Sequence, residues 1–298
     1  MTGPLVVKLG GALLDEAASY GGVFDALAAI HRAQGGLVVV HGGGKAVDRH
    51  LDRLGMQTQR REGIRITPPE VVEQVAAVLA GAMNTQLLGL LLSRGAPAVG
   101  LTLGDGHLAH ARRCTRLGFD PGCVGELAGG EGALVHHLLA GGYLPVLSSI
   151  GLDAQGGLLN INADDAAAQL AGILRARGLL LLTDVAGVRG ADGSIVPELD
   201  AEAAEALVAA GVVTGGMIAK VRGAVAAAEA AGVPVIIASW SDPQALGALA
   251  RGGRVGTRVV ARAGASTATP AATPAESPAS PATTPSPAPA PKEFAHHG

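Results

Sequence analysis

Short aliphatic runs that end in glycine or in a polar residue recur along this chain of 298 residues. The first run reads Leu-Val-Val at residues 5–7, continues through Lys8 and ends in Gly10 and Gly11. A short and almost wholly apolar run is typical of a strand buried on both faces of a parallel sheet. A lysine followed by bare glycine backbone at a strand end suits an anion, although a lysine that extends its charge into solvent explains the same pattern.

A glycine loop follows the second aliphatic strand, residues 37–40, which runs into His41 and the three glycines at 42–44. A predicted helix comes next, and strand, glycine loop and helix together form the layout of an anion site built from backbone N–H groups. The loop is neither a Walker A loop nor the dinucleotide-binding fingerprint, because Val39 and Val47 stand where those motifs require glycine. A tight turn needs one glycine, so three in succession favour the close approach of a ligand.

Strands and helices alternate through most of the chain. Further strands are predicted at residues 98–103, 143–147, 179–182, 233–237 and 257–260, the last at a sheet edge, with a hairpin at 152–159 and a long helix at 70–93. This alternation predicts an α/β fold with an open, mainly parallel sheet sandwiched between helices. Ligands of such sheets bind beyond the carboxyl ends of the strands, where Lys8, the glycines at 42–44 and Asp184 are expected.

Composition excludes several classes of protein. Aromatic residues make up 2% of the chain and the net charge is −3, which argues against nucleic-acid modules and anionic surfaces. No apolar run is expected to approach the roughly 20 residues of a membrane span, and no basic segment precedes the first apolar run. We therefore expect a cytoplasmic protein with no membrane or nucleic-acid partner. Cys114 and Cys123 fit neither a metal motif nor a disulfide framework and are predicted to be free thiols.

Three other features concern charge. The chain has 4 lysines among its 22 basic residues, and compact ammonium groups suit phosphoryl chemistry better than a planar guanidinium does. Residues 160–165 read Asn-Ile-Asn-Ala-Asp-Asp ahead of an alanine-rich helix. A helix cap explains one of these polar side chains but not all four. Arg65 stands just before the long helix and could either bind a carboxylate or remain a solvated surface charge.

The composition changes after residue 262. The last 36 residues, 263–298, hold 8 of the 17 prolines, mixed with alanine, serine and threonine. Such a segment has little to bury, so we expect a disordered, partly polyproline-like tail without chemistry of its own.

Five stretches taken in order resemble the amino-acid kinase family. They are residues 7–11, 41–44, 63–68, 160–164 and 214–220, so the resemblance runs from residue 5 to about residue 260. Within that family, the resemblance is to the enzymes that use ATP to phosphorylate the side-chain carboxylate of N-acetyl-L-glutamate, the second step of arginine synthesis. One departure is Thr85, where related sequences often carry lysine after the asparagine.

The resemblance implies a role for each matched residue. Lys8, Lys220 and Asp164 would be catalytic, with Asp164 holding both ammonium groups. The acyl substrate would be bound by Gly43, Gly44, Arg65 and Asn160. Phosphate and nucleotide would be bound by Gly10, Gly11, Thr183, Asp184, Thr214 and Gly215. ATP would bring Mg²⁺ held mainly by phosphate oxygens and water, with no metal site of the protein's own.

The resemblance also implies an organisation and leaves alternatives open. Residues 1–178 would form a lobe for acyl-substrate binding and dimerisation, and residues 179–262 a lobe for the nucleotide. The alternatives are a kinase of the same fold acting on another amino-acid carboxylate, such as carrier-linked aminoadipate, and a non-catalytic nucleotide sensor. The joint presence of both lysines and Asp164 favours an enzyme. Because only seven residues precede Lys8, we expect a homodimer with little inhibition by arginine.

Overall fold

The computed structural model describes residues 3–15, 20–57 and 59–261, so the predicted tail from residue 263 lies outside the described residues. The strands are β1 (Leu5–Leu9), β2 (Leu37–His41), β3 (Arg60–Arg61), β4 (Ile64–Arg65), β5 (Ala98–Leu101), β6 (His110–Arg113), β7 (Val124–Gly129), β8 (Leu144–Ser148), β9 (Ile150–Leu152), β10 (Leu158–Ile161), β11 (Gly178–Thr183), β12 (Glu198–Leu199), β13 (Val235–Ser239) and β14 (Thr257–Val259). The α-helices are α1 (Gly11–Asp15), α2 (Gly21–Gln34), α3 (Gly44–Arg53), α4 (Pro69–Ala76), α5 (Asn84–Leu92), α6 (Ala133–Ala140), α7 (Ala163–Ile173), α8 (Ala201–Ala209), α9 (Gly216–Ala231) and α10 (Pro243–Ala250). A π-helical stretch, Ala77–Met83, joins α4 to α5, and a 3₁₀ turn covers Asp105–His107.

In the part of the chain that the structure describes, the central sheet has eight strands in the order β12-β14-β13-β11-β1-β2-β8-β5. Its pairs are parallel except for β13 with β14, which confirms the predicted open, mainly parallel sheet. The prediction that residues 257–260 form an edge strand was wrong, because β14 lies between β12 and β13. Strand β12 covers that edge with two residues, too few to show a pattern in the sequence.

Both faces of the sheet are buried. Successive side chains of a strand point to opposite faces, and here both sets are aliphatic. Val6 and Val38 pack on one side with the alanine-rich faces of α7 and α9. Val7 and Val39 pack on the other side with α2, whose Phe24 is fully buried. Helices therefore cover both sides of the sheet, and only its strand ends are open to ligands.

The segment from α4 to α5 is one continuous helical rod, Pro69–Leu92, of 24 residues. By length and composition alone it could cross a membrane, which corrects the expectation that no apolar stretch reaches that length. Its apolar side chains have a place inside this fold, since Val71, Val75 and Leu79 are buried in the core. The π-helical turn in its middle is a rare element that is often found at functional sites.

A smaller sheet stands at one end of the central one. In the described residues it has four strands in the order β6-β7-β10-β9, and β9 with β10 forms the predicted hairpin. Strands β3 and β4 form a separate two-stranded hairpin. The proposed lobes share the central sheet, because β1 pairs with β11 in register from Leu5 with Gly178 to Leu9 with Leu182. The assignment of residues 1–178 and 179–262 to separate roles stays a prediction.

Candidate active site

Lys8 lies on β1, between Val40 of β2 and Leu181 of β11. Its side chain is 16% exposed, and its Nζ contacts Asp164 Oδ1 at 2.9 Å. Asp164 is in the first turn of α7, where the helix dipole favours a negative charge. The lysine is therefore paired at the end of a buried strand and does not simply extend into solvent.

The start of α7 explains the cluster of polar residues in the sequence. Asn162 caps the helix, because its Oδ1 accepts hydrogen bonds from the backbone N–H groups of Asp164 at 2.8 Å and Asp165 at 3.1 Å. Because Asn162 accepts from these N–H groups, the carboxylate of Asp164 is not needed as their acceptor. That carboxylate is left to bind Lys8, so capping and charge pairing are carried out by different residues.

The first two glycines of the loop after β2 lie close to neighbouring side chains. A Cβ atom at Gly43 would lie 2.2 Å from Met83 Sδ, and one at Gly42 would lie 3.1 Å from Ala163 Cβ. The loop is therefore held between the π-helical turn and the start of α7. This packing gives a structural reason for the glycines beside the predicted ligand role.

Arg65 is buried, with 6% of its surface exposed, and is not the solvated charge that the sequence left possible. Its Nη1 contacts Asp48 Oδ1 at 2.5 Å, and its Nη2 donates to the carbonyl of Gly44 at 3.0 Å. Arg60 Nη2 binds the other oxygen of Asp48 at 3.0 Å. Burial would raise the pKa of Asp48, but the hydrogen bonds and charges of Arg65 and Arg60 hold it below its usual value. Asp48 thus links α3 to both strands of the β3–β4 hairpin.

Asn160 lies on β10 and is half-buried. Its Nδ2 donates to Thr67 Oγ1 at 3.3 Å, and that buried hydroxyl donates to the carbonyl of Arg65 at 3.0 Å. Asn160 and Arg65, two residues predicted to bind the acyl substrate, are therefore connected through Thr67.

These elements enclose a cavity of about 340 Å³, in the size range of small-molecule sites. Seven of the predicted residues line it: Lys8, Gly11, Gly43, Gly44, Arg65, Asn160 and Asp164. The charged side chains of the lining are Lys8, Arg60, Arg65, Arg116, Asp164 and Asp165. Two further carboxylates outside the lining, Asp48 and Glu126, pair with its arginines, so the cations are balanced but still offer donors that suit an anionic ligand.

Arg116 stands at the cavity between two carboxylates. Its guanidinium contacts Asp165 and Glu126, each at 3.2 Å. Burial raises the pKa of Asp165, the charge of Arg116 opposes that rise, and the neighbouring Asp164 adds to it. Cys114 also lines the cavity, and both Cys114 and Cys123 are buried free thiols, as predicted.

Four of the residues predicted to bind phosphate and nucleotide, Thr183, Asp184, Thr214 and Gly215, lie elsewhere, at the end of β11 and the start of α9. Lys220 pairs with Asp184, and Thr183 Oγ1 donates to Asp184 at 2.8 Å. The hydrogen bond from Lys220, followed by that from Thr183, lowers the pKa of Asp184. In this structure Lys220 thus contacts Asp184, and the expectation that Asp164 holds both lysines stays a prediction.

Six predicted residues are not among the described residues that line the cavity: Gly10, Thr183, Asp184, Thr214, Gly215 and Lys220. Gly215 precedes the first turn of α9 as its N-cap, with φ of 55° and no side-chain cap. Gly10 packs under Trp240, where an added Cβ would lie 3.3 Å from the indole ring. The site therefore has an enclosed half around Lys8 and a more open half around Lys220.

Sequence reasoning missed several residues of the enclosed half. Asp48, Arg60 and Arg116 act through partners far away in the chain, and nothing in their local pattern distinguishes them from surface charges. Asn162 was recognised only as one member of a polar cluster. A local signal did exist for it, since an asparagine two residues before an aspartate at a helix start is a typical cap.

Within residues 3–15, 20–57 and 59–261, no three histidine, cysteine or acidic side chains are arranged to hold a metal ion. The donor set at the site is cationic and amide-rich, which suits phosphate and carboxylate oxygens. A divalent ion in this site would therefore be held mainly by oxygens of the ligand and water.

An open parallel sheet with paired lysines and a glycine loop at its carboxyl ends defines an α/β protein that binds small anions. The model of the amino acid kinase family matches residues 3–239, and the chain belongs to that family. This confirms the resemblance and the fold expected from the motifs.

Curated relatives match over nearly their whole length. An acetylglutamate kinase of Vibrio cholerae is 43% identical over 258 residues, covering 86% of this chain and 96% of the relative. One of Pectobacterium atrosepticum is 44% identical over 258 residues, covering 86% and 99%. Among solved structures, an N-acetylglutamate synthase of Neisseria gonorrhoeae complexed with coenzyme A and N-acetyl-glutamate matches with a TM-score of 0.69 and 26% identity. That match covers 87% of this chain and 59% of the synthase chain.

Proposed function

We propose that this chain transfers the γ-phosphoryl group of ATP to the side-chain carboxylate of N-acetyl-L-glutamate. The observation that carries the proposal is the cavity lined by cationic donors beside the Lys8–Asp164 pair. N-acetyl-L-glutamate is a small dianion at neutral pH, and the ammonium and guanidinium groups of the cavity lining are suitable donors for its two carboxylates. Curated relatives that bear the name acetylglutamate kinase, at 43–44% identity, support the same substrate.

The nucleophile needs no general base. A glutamate side chain has a pKa of about 4.3, so at neutral pH the attacking oxygen is already ionised. The barrier is electrostatic, because one anion must approach another and more negative charge develops on the transferring and leaving oxygens. Catalysis on this site is therefore a matter of positioning and of cations placed where that charge develops.

Lys8 supplies the cation on the acyl side. Its ammonium group, held at 2.9 Å from Asp164, would donate to an oxygen of the transferring phosphoryl group. Gly11 and Gly44 line the same cavity, and their backbone N–H groups would add neutral donors. Because the group is largely shielded from water, each of these interactions is stronger than it would be at the surface.

Arg65 and Asn160 orient the acyl substrate. A guanidinium can bind a carboxylate with two parallel hydrogen bonds, and Arg65 is already oriented by Asp48 and by the Gly44 carbonyl. Asn160 offers an amide for the α-carboxylate or the acetamido group. Binding the remote end of the substrate in this way directs its side-chain carboxylate towards Lys8.

Lys220 would act on the nucleotide side, where its charge neutralises the oxygen that leaves between the β and γ phosphates. Asp184 orients that lysine, and Thr183 orients Asp184. Thr214 and Gly215 at the uncapped start of α9 would contact the nucleotide. Mg²⁺ would arrive with ATP and offset phosphate charge, while the protein's own lysines and arginines keep their positions without it.

A substrate panel tests the proposal. ADP release is measured with N-acetyl-L-glutamate, L-glutamate, L-aspartate and an aminoadipate linked to its carrier protein, at equal concentrations. We expect rapid turnover with N-acetyl-L-glutamate alone, since its acetylated amine leaves a dianion without a positive charge. Preferred turnover of carrier-linked aminoadipate would support the alternative kinase, and binding of ATP without turnover of any acceptor would indicate a nucleotide sensor.

A further inference from the structure

A buried chain of hydrogen bonds lies directly behind the glycine loop. Asn84 Nδ2 donates to the carbonyl of Val146 at 3.0 Å and to His41 Nε2 at 3.1 Å. His41 Nδ1 in turn lies 3.0 Å from the carbonyl oxygen of Gly42. His41 is 0% exposed and Asn84 is 3% exposed, so water does not compete for these bonds. The chain joins α5 and β8 to the first peptide of the loop.

The partners determine which nitrogen of His41 carries the proton. The Val146 carbonyl can only accept, so the amide nitrogen of Asn84 must face it. The same nitrogen then donates to His41 Nε2, which must accept and therefore has no proton. The proton lies on Nδ1, and Nδ1 donates to the Gly42 carbonyl. Burial also lowers the pKa of His41 to about 4, with the Gly42 bond opposing, so the ring is neutral at pH 7.

The orientation of the Gly42 carbonyl determines the orientation of the next N–H group, that of Gly43. The Gly42 carbonyl and the Gly43 N–H belong to one planar peptide unit and point in opposite directions. With the carbonyl directed back at His41, the N–H of Gly43 points away from the ring, and Gly43 lines the cavity. Rotation of this peptide would remove one donor from the site without moving any side chain.

We propose that His41 is a positioning residue, whose Nδ1–H, kept in its tautomer by Asn84, orients the Gly42–Gly43 peptide towards the acyl substrate and the transferring phosphoryl group. The inference rests on the proposed phosphotransferase function, since it assigns the loop's donor to that reaction. His41 itself is separated from the cavity by the loop that it orients.

The packing around Asn84 and Gly43 holds this chain of hydrogen bonds in place. A Cβ atom at Gly100 of β5 would lie 2.2 Å from Asn84 Oδ1, so this strand has just enough space for the amide. On the other side Met83, the neighbour of Asn84, occupies the space that a side chain at Gly43 would need. Two successive residues of the helical rod therefore hold the loop, one through a hydrogen bond and one through packing.

Two substitutions separate positioning from stability. His41→Asn places an amide nitrogen at the position of Nδ1, so it restores the donor to Gly42 and leaves Asn84 without an acceptor. His41→Gln places an amide oxygen at the position of Nε2, so it satisfies Asn84 and leaves the Gly42 carbonyl without a donor. We expect His41→Gln to lower kcat/KM about 10- to 100-fold at temperatures where it is fully folded, because misplacing a catalytic donor by a fraction of an ångström is costly. We expect His41→Asn to melt lower but to recover kcat/KM to within about threefold of the wild type, since one unsatisfied buried donor affects folding and not the loop.

A residue that serves stability alone gives the opposite result, with activity following the folded fraction in both variants. That outcome, or a wild-type kcat/KM in His41→Gln, would overturn the proposal. Nitrogen-15 NMR of the full-length wild-type protein provides a test without any substitution. We expect Nδ1 of His41 to show the shift of a protonated ring nitrogen and Nε2 that of an unprotonated one, and the reverse assignment would contradict the proposal. A wild-type protein that does not turn over N-acetyl-L-glutamate would count against the proposed function, whereas the NMR result stands independently of activity.

Discussion

The two lysine–aspartate pairs of this site differ in how the fold holds them. Lys8 is 16% exposed, on a central strand, and its partner Asp164, in the first turn of α7, is 58% exposed. Lys220 is 37% exposed, on a helix, and its partner Asp184 is 62% exposed on the loop after β11. The first pair lines the cavity, and the second is not among the described residues that line it. Both aspartates are exposed, so the two pairs differ in their lysines: Lys8 lies on a buried strand, whereas Lys220 lies on a helix nearer the surface.

The difference has a chemical consequence. A cation that is shielded from water interacts more strongly with developing negative charge than one that remains solvated. Exposed ion pairs contribute little on their own, typically about 1 kcal/mol or less. We therefore expect substitutions on the acyl side to cost more than matched substitutions on the nucleotide side.

The largest effect is expected from removing the two lysine charges. Lys8→Met should lower kcat about 1,000-fold and Lys220→Met about 100-fold, the range seen when a single charge-stabilising donor is lost. Arg222→Met, on the same helix as Lys220 and paired with Glu205, is the control and should stay within about twofold. Steady-state kinetics with both substrates saturating measures the effect. An equal or greater loss of kcat in Lys220→Met would show that the burial of the lysine does not determine which substitution costs more.

The pH dependence of the free energy of unfolding should reveal the buried ring of His41 behind the glycine loop. The pKa of His41 is about 4 in the folded protein, against an ordinary value of 6.5. Between those values the unfolded chain binds more protons than the folded protein does. The free energy of unfolding therefore has its full value above pH 6.5 and falls as the pH drops to 4. The expected loss is about 3 kcal/mol, because one pKa unit corresponds to about 1.4 kcal/mol.

Urea denaturation across this pH range measures that loss, with His41→Asn as the control. The variant should lose less stability on acidification than the wild type does. Parallel curves for the two proteins would show that His41 is not the group responsible.

A smaller effect is expected at Asp48, which holds Arg60 and Arg65, two of the three arginines of the cavity. Asp48→Asn should raise the KM for N-acetyl-L-glutamate about tenfold and leave the KM for ATP unchanged, since losing a charged hydrogen-bond partner costs about 1.5–3 kcal/mol. Asp25→Asn removes a carboxylate from an arginine outside the cavity, Arg94, and is the matched control. A raised KM for ATP in Asp48→Asn would contradict the division between the two halves.

The smallest effect is expected at Asp184. Asp184→Asn should raise the KM for ATP by about threefold, as for an exposed ion pair, and leave the KM for N-acetyl-L-glutamate unchanged. Initial rates at varied ATP give the value. A change of more than tenfold would mean that the Lys220–Asp184 pair is held as firmly as the Lys8–Asp164 pair.

Much of this fold could be predicted from local patterns. Strands β1, β2 and β11 are uninterrupted aliphatic runs, and such runs between helices specify a parallel sheet. Strand β12 could not be predicted, because two residues have no periodicity and Glu198 gains its place from pairing with Arg258 of β14. The strand order likewise depends on contacts between distant segments.

In the candidate site, too, residues within continuous motifs could be predicted, whereas contacts between distant segments could not. Lys8, Gly43, Gly44 and Asn160 follow motifs that are continuous in sequence, and the structure places all four on one cavity. The contact between Lys220 and Asp184 could not be predicted, because it depends on where α9 begins relative to β11. The predicted homodimer, the weak inhibition by arginine and the cytoplasmic location stay predictions.

Binding of N-acetyl-L-glutamate in the absence of nucleotide tests most directly whether the acyl half is already formed. Calorimetric titration of the full-length protein with N-acetyl-L-glutamate alone should give a measurable Kd. That Kd should change by less than about threefold when a non-hydrolysable ATP analogue is present, which corresponds to less than about 0.7 kcal/mol of coupling. Binding that is detected only after the ATP analogue has been added would contradict a preformed acyl half.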